Sequence, residues 1–288
     1  MKNYYITILP TIFITLRIVQ YVSAKSLLSG RKDRLQKQPG LFHRQPAEPF
    51  GLAIPRKSNS TLGQESSANT TNITTDIAEL IDCFQNALII ANQDEHEIHV
   101  GKLLLACDRL ESTMRRIGFT QSAKDIAGNI RKIRRTYSKL PESHRDCMPA
   151  ILEHEIESGI NMKKIPENSA ACGFLWLGRS LNYQYAMFCH MLDNDDATPY
   201  EAASVSYERD LKPYLPWPLQ KICQAAMCTL KAKRRKQIFA DIGGFSEECY
   251  GEREEEATKK DLRQMMDFIK SMLCRWRQVC SDLELGTI

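Results

Sequence analysis

Three polar residues in the segment DIAGNIRK are spaced so that one ligand could meet all of them: Asp125, Asn129 and Lys132. In an α-helix, side chains at positions i, i+4 and i+7 lie on one stripe, because each residue turns the helix by about 100°. A carboxylate accepts hydrogen bonds, a carboxamide donates and accepts them, and an ammonium group donates them. The stripe therefore suits a ligand with several hydroxyl or amide groups, although the same spacing is common on a solvated helix face.

Two tryptophans add further candidates for binding. Trp176 lies in the segment FLWLGRSL, residues 174–181, and its flat ring could stack on the apolar face of a sugar. In so apolar a segment it could equally be a core residue. Trp217 lies between two prolines, and an amphipathic ring in such a place suits a membrane interface. The alternative is a tryptophan that packs between helices.

A short basic cluster follows Trp217 in the chain. Near an anionic membrane each lysine or arginine adds about 1 kcal/mol of attraction, although such a cluster also suits a solvated turn. We expect Lys233, Arg234 and Arg235 to join Trp217 in membrane docking. The whole cluster comprises Lys231, Lys233, Arg234, Arg235 and Lys236.

The elements that must position these residues are predicted to be helices. From Asp76 onward, apolar residues recur every three or four positions, and no segment alternates like a strand. The sequence therefore predicts an all-α domain of about seven to nine helices without internal repeats. The apolar stretches are 77–89, 100–110, 126–137, 148–156, 174–192, 199–211, 219–230 and 262–283.

Three segments, in their order and separations, resemble the glycolipid transfer protein family: residues 125–132, 174–181 and 214–221. The phrase Ile151-Leu152-Glu153 fits the same pattern, and the resemblance covers roughly residues 80–288. The first segment is the most specific of the three, because its D-x-x-x-N-x-x-K spacing includes Gly128 and is followed downstream by the expected tryptophan.

This resemblance implies a two-layer all-α sandwich that holds a lipid without covalent chemistry and without a cofactor. An apolar pocket would take the ceramide chains, and a polar surface site would take the head group. The resemblance assigns head-group binding to Asp125, Asn129, Lys132 and Trp176, and membrane docking to Trp217. We therefore expect a monomer that binds and transfers a glycosphingolipid and contacts the membrane surface peripherally.

The type of head group follows from charge. Related proteins carry phosphorylated ceramide, and in that branch arginines match Cys172 and Trp176 while a lysine matches Asn129. These positions are neutral here, whereas a phosphate group favours positive charge and arginine forks. The sequence therefore favours a neutral sugar, with a ceramide-1-phosphate carrier as the alternative.

Two departures from the family pattern support a different alternative. Leu215 stands where the family has a histidine that bonds the ceramide amide oxygen, and a leucine cannot donate. A family tyrosine near the C-terminus is also missing, and Gly286 and Thr287 stand there instead. Leu215 therefore belongs to the candidate ligand site and favours, as an alternative, a lipid sensor or interaction protein whose site is degenerate.

An enzyme is the least supported class. Asp125 with His144 or His154 could be imagined as an acid–base pair, but no nucleophile, metal or phosphate-loop motif accompanies them. The ten cysteines lie between Cys83 and Cys280 without a CxxC pair or zinc-like spacing. In an oxidising lumen some of them could pair, whereas on helices a single cysteine is more often a small buried side chain.

The first residues are typical of a targeting signal. Residues 4–16 form an apolar run that Arg17 ends, which is short for a membrane span, and Val22-Ser23-Ala24 permits cleavage. We expect a signal peptide over residues 1–24 and a secreted or lumenal protein. The alternatives are an uncleaved anchor formed by residues 4–22 and a cytoplasmic protein whose signal is not used.

Residues 25–75 are predicted to form a disordered linker ahead of a domain at 76–288. They are rich in Ser, Thr, Pro, Gln and Asn, and three N-glycosylation sequons begin at Asn59, Asn69 and Asn72. Residues 25–58 hold eight basic and two acidic residues, whereas the net charge of the chain is +4. The basic charge therefore belongs to the linker, which argues against a nucleic-acid-binding domain.

Overall fold

The apolar face of each helix turns inward, as the three-and-four spacing requires. The computed structural model describes residues 73–92, 95–142, 145–161 and 164–288. Within these ranges the chain forms nine α-helices and one β-hairpin. Their bounds are α1 Ile77–Ala87, β1 Leu88–Asn92, β2 Glu95–Ile98, α2 Val100–Arg116, α3 Thr120–Tyr137, α4 Met148–Glu157, α5 Ala170–Asp193, α6 Pro199–Ser206, α7 Trp217–Met227, α8 Arg235–Gly243 and α9 Glu252–Asp282.

Helix α5 is the centre of the domain and packs against α3, α4, α6 and α9. At the start of α5, the backbone amides of Ala170 and Ala171 donate hydrogen bonds of 2.7 Å and 2.8 Å to the two carboxylate oxygens of the buried Glu155. A negative charge at a helix N-terminus also stabilises the helix dipole. This contact fixes the end of α5 that carries Trp176. None of the helices described, α5 included, has the length and hydropathy needed to cross a bilayer.

The close approach of α3 and α5 depends on Gly173. A Cβ atom there would lie 2.8 Å from Cγ1 of Ile133 and 3.0 Å from the carbonyl oxygen of Asn129. Gly128, which stood out in the sequence, would meet no atom within 4 Å. The glycine that brings the two helices together therefore lies on α5 rather than in the polar segment of α3.

The β-hairpin differs from the sequence prediction, which extended the first helix to Ile89. Helix α1 ends at Ala87, Leu88 adopts extended dihedrals, and β1 pairs antiparallel with β2. The run Leu88-Ile89-Ile90 satisfies helical spacing, but it is also rich in β-branched residues, which favour strands. In β2, Glu97 forms an ion pair of 2.7 Å with Arg275 of α9.

Three helices also differ from the prediction. Helix α6 ends at Ser206 and continues as a π-helical turn, Tyr207–Leu211. Helix α8, which was not predicted, begins inside the basic cluster. Helix α9 begins at Glu252, well before the predicted Leu262, because charged residues fill its first turns and hide the apolar spacing.

Residues 1–72 lie outside the described part of the chain. The predicted signal peptide, the sequons and the linker therefore stay predictions, and so does the expected domain start at Asp76. The residues that the structure describes belong to one compact unit, Ile73–Ile288.

Candidate functional site

A cavity of about 420 Å³ lies between the first turns of α3, the middle of α5 and helix α7. Its volume falls within the range of about 300–1,000 Å³ that is usual for small-molecule sites. Its wall is mostly apolar, with a few polar groups. The lining residues used below are Asp125, Trp176, Ser180, Tyr183, Tyr207, Leu215 and Cys223.

Asp125 borders this cavity and is an exposed residue. The surrounding protein removes water and raises the pKa of Asp125, while hydrogen bonds with Ser180 and Asn129 and the charge of Lys132 act in the opposite direction. The carboxylate is therefore a strong acceptor at the polar end of the cavity, held in place from α5.

Asn129 and Lys132 lie further along α3 and do not line the cavity. Asn129 is 3% exposed, and its side chain interacts with that of Asp125 one turn earlier. The ammonium group of Lys132 lies 3.6 Å from the sulfur of Cys172. Of these three residues, only Asp125 therefore lines the cavity, and Asn129 lies behind it in contact with its carboxylate.

Trp176 lines the cavity and contacts a residue that the sequence analysis did not single out. The guanidinium carbon of Arg179 lies 4.8 Å from the Trp176 ring centroid and 3.9 Å from that of Tyr214. Arg179 therefore covers one face of the indole, and the remaining surface of the ring is left for a ligand. The sequence contained one signal for this contact: Trp176 and Arg179 are three residues apart on one helix, and residues at that spacing lie side by side.

The C-terminal residues complete this side of the site. Nε of Arg179 donates to the carbonyl oxygen of Thr287 at 2.9 Å. A Cβ atom at Gly178 would lie 2.9 Å from Cδ1 of Ile288. The sequence showed only that a family tyrosine is missing near Gly286. In the structure, the C-terminal tail packs on α5 and orients Arg179.

Leu215 lines the cavity with its side chain. Its carbonyl oxygen accepts a hydrogen bond of 2.8 Å from Nε2 of Gln220, and the same Nε2 lies 3.3 Å from the carbonyl oxygen of Lys212. Gln220 therefore holds the turn before α7, and Leu215 adds an apolar surface where a histidine would add a donor.

Trp217 begins α7 and is 68% exposed, so it does not pack between helices. The ammonium group of Lys221, one turn further on, lies 6.0 Å from its ring centroid. Helix α7 buries only Leu219 and Met227. It is thus loosely held compared with α5, and it carries an exposed aromatic ring at its start.

The basic cluster is partly neutralised by its neighbours. Arg235 is 15% exposed and pairs with Asp195 at 2.7 Å, so its placement does not support a role in membrane docking. Arg234 is exposed but paired with Glu247. Lys233 is half-buried, and its Cε would lie 3.4 Å from a Cβ atom on Gly118 at the cavity rim.

All ten cysteines lie in the described ranges, and all are free. Burial raises the pKa of the Cys223 thiol in the cavity to about 11, and the charge of Asp125 adds to this rise. No group of potential metal ligands occurs within the described residues. The site thus offers hydrogen bonds, an aromatic surface and an apolar cavity.

The chain is similar to lipid transfer proteins. The family model described as glycolipid transfer protein (GLTP) matches residues 98–244. Glycolipid transfer protein 1 of Arabidopsis thaliana is 27% identical over 153 residues, which cover 52% of this chain and 71% of that protein. The glycolipid transfer protein of Danio rerio is 32% identical over 114 residues, which cover 38% of this chain and about half, 53%, of that protein.

The fold is also that of a solved lipid complex. The crystal structure of human ceramide-1-phosphate transfer protein with 12:0 ceramide-1-phosphate matches with a TM-score of 0.63 and 17% identity, over 74% of this chain and 99% of that chain. At this identity the match concerns the fold, and it confirms the predicted all-α class. The family model spans the cavity, Asp125, Trp176 and Leu215 together, and by this match the chain belongs to the glycolipid transfer protein family.

Proposed function

We propose that this protein binds a sphingolipid and transfers it between membranes. One observation carries the proposal: a mostly apolar cavity has Asp125 at its polar end and Trp176 beside it, on the two helices that resemble the family's head-group segments. An apolar cavity with a few convergent polar groups is the arrangement expected of a site for an amphipathic ligand. No step of this function requires a nucleophile, a metal or a cofactor.

The proposed cycle begins at the membrane surface. Trp217 inserts at the head-group level, and Lys233, with the exposed Lys231 of the basic cluster, adds attraction to anionic lipids. The head group then binds at Asp125 and Trp176, and the chains enter the cavity. Because α7 buries only two residues, we propose that it moves to widen the cavity for the lipid chains. The protein acts as a monomer in this cycle.

For the head group we propose a neutral sugar. Hydroxyl groups can donate to the Asp125 carboxylate, and the free surface of Trp176 can contact a sugar ring. A ceramide-1-phosphate ligand is the second candidate. The observation that favours it is the positive charge of Lys132 and Arg179 on this side of the site.

Binding can be tested by tryptophan fluorescence in the Trp217→Phe variant, in which Trp176 is the remaining tryptophan at the site. We expect vesicles that contain galactosylceramide to shift its emission and vesicles of phosphatidylcholine alone not to. The double variant Trp176→Phe, Trp217→Phe should lose the shift, since the remaining Trp276 is fully buried in the core. An equal response to both vesicle types would contradict head-group recognition and favour the degenerate-site alternative.

We also propose that the protein enters the secretory pathway, on the strength of the signal-like start and the three sequons. The free cysteines, of which Cys228, Cys249 and Cys274 are exposed, favour the cytoplasmic alternative. Treatment of the expressed full chain with an N-glycosidase decides between them. A fall in apparent mass that disappears in the triple variant Asn59→Gln, Asn69→Gln, Asn72→Gln supports entry, and an unchanged mass contradicts it.

A further inference from the structure

Tyr183 has a hydroxyl group that the protein leaves without a partner in the described residues. Its side chain is 7% exposed, and it lines the cavity, so the little surface that remains open faces the cavity. The other phenol in the cavity wall, Tyr207, is engaged, since its hydroxyl donates to the carbonyl oxygen of Gln220 at 3.3 Å. Tyr183 is therefore a nearly buried donor that is directed at the ligand space.

The surroundings of this hydroxyl do not compensate for the missing hydrogen bond. Its polar neighbours are Cys223, a weak partner, and Tyr207, whose hydroxyl hydrogen is donated to Gln220 instead. Burial raises the pKa of Tyr183, so the phenol stays protonated and neutral at physiological pH. When a ligand fills the cavity and excludes water, a polar group without a partner is unfavourable, and a ligand that supplies the partner is favoured over one that does not.

The position of Tyr183 on α5 indicates which part of a ligand it meets. Trp176, Ser180 and Tyr183 follow one another along the cavity wall, and Ser180 hydrogen-bonds with Asp125 at the polar end. At about 1.5 Å per residue, Tyr183 lies roughly 4.5 Å beyond Ser180 and roughly 10 Å beyond Trp176 along the helix axis. A lipid anchored at Asp125 and Trp176 thus has its amide near Ser180 and the first carbons of its chains beside Tyr183.

We propose that Tyr183 makes this site selective for sphingolipids that carry an additional hydroxyl group next to the amide, on the acyl chain or on the sphingoid base. The inference rests on the proposed function and names the substrate class of the same site. Plain hydrocarbon at this depth leaves the phenol unpaired, whereas a ligand hydroxyl accepts a hydrogen bond from it.

The test is a transfer assay of the full chain with three galactosylceramides of matched chain length. One has a 2-hydroxyacyl chain, one has a 4-hydroxylated base, and one has neither hydroxyl. We expect one of the hydroxylated lipids to be preferred over the plain one by about five- to tenfold, which is what a single hydrogen bond provides. The identity of the preferred lipid shows whether the acyl chain or the sphingoid base lies beside Tyr183.

The variant Tyr183→Phe should abolish this preference, so that all three lipids are transferred at the same rate. Tyr207→Phe removes the same atom from a phenol that is already engaged, and it should keep the preference. Equal transfer of all three lipids by the parent would overturn the inference while leaving the proposed function standing. An equal loss for all three lipids in Tyr183→Phe would also overturn it, because the phenol would then bond the shared amide. Failure to transfer any of them would instead contradict the proposed function.

Discussion

The guanidinium group of Arg179 is stacked on the ring of Tyr214, with 3.9 Å between the guanidinium carbon and the ring centroid. The same group lies over the ring of Trp176, and its Nε donates a hydrogen bond to the carbonyl oxygen of Thr287 in the C-terminal tail. This hydrogen bond fixes the orientation of the guanidinium group. It thus joins α5, the turn before α7 and the C-terminal residues beside the head-group site. A planar cation is suited to this position, because it can stack on two rings and still donate in its own plane.

We predict that Arg179→Lys weakens both folding and transfer. The lysine keeps the charge but loses the planar stack and the fork of donors, so we expect a loss of about 1–2 kcal/mol in the free energy of unfolding. Arg209→Lys is the control, since Arg209 is an exposed partner of Asp210 and should change stability by less than about 0.5 kcal/mol. Urea unfolding gives the change in the free energy of unfolding for each of the two variants. Equal changes would show that the stack contributes nothing to stability.

Asp125→Asn should stabilise the unliganded protein and impair lipid binding. The pKa of Asp125 in the folded protein is raised above its ordinary value of 3.8. The folded state therefore binds more protons than the unfolded state, and the free energy of unfolding falls as pH rises through the interval above 3.8. The asparagine removes this cost of ionisation, which is modest because Asp125 is an exposed residue: about 1 kcal/mol or less.

The measurement for Asp125→Asn is urea unfolding of variant and parent at several pH values. The variant should be the more stable of the two at pH 7, and the difference should shrink as the pH is lowered toward 3.8. A variant that is less stable than the parent at pH 7 would contradict the raised pKa of this carboxyl group.

Gly173→Ala should destabilise the domain, and Gly128→Ala should not. At position 173 the new methyl group meets Ile133 and the backbone of Asn129 at 3.0 Å or less, and such overpacking costs about 1–3 kcal/mol. At position 128 it meets nothing, and replacing a helical glycine by alanine favours the helix by up to about 1 kcal/mol. Thermal unfolding of both variants checks this, and the reverse order would place the close contact of α3 elsewhere.

Trp217→Ala should reduce binding to vesicles while leaving thermal stability unchanged, because the ring is exposed and buries little of the core. The loss should be about tenfold or less in affinity, as expected when a single interfacial aromatic residue is removed. Leu105→Ala is the matched control, since Leu105 is 61% exposed on α2 and lies outside the cavity wall. Vesicle sedimentation compares the two, and similar losses would indicate general surface hydrophobicity rather than a docking residue.

The sequence predicted the helices with the strongest apolar spacing, α5 above all, and its segments led to the family. It also selected Asp125, Trp176 and Leu215, which the fold brings to one cavity. It did not predict the hairpin, because three apolar residues after α1 satisfy both helical and strand patterns. Nor did it predict α8, whose short apolar run Ile238-Phe239-Ala240 follows a dense basic cluster.

The contacts that depend on tertiary structure could not be predicted from the sequence. The partners of Arg179 lie 35 residues or more away along the chain in two of its three contacts, and only packing brings them together. The unpaired hydroxyl of Tyr183 is defined by what its neighbours do, and the near-burial of Arg235 depends on Asp195 from another loop. These relationships decide which polar residues are available to a ligand and which belong to the scaffold.

The central claim is tested most directly by vesicle-to-vesicle transfer with the purified full chain and labelled galactosylceramide, ceramide-1-phosphate and phosphatidylcholine. We predict transfer of galactosylceramide and no transfer of phosphatidylcholine, with the activity lost in Asp125→Val and Trp176→Ala variants that keep their helical circular dichroism. Transfer of ceramide-1-phosphate alone would contradict the sugar head group and assign the site to the phosphate through Lys132 and Arg179. Transfer of no lipid by a folded, helical protein would contradict the claim that this cavity carries lipids between membranes.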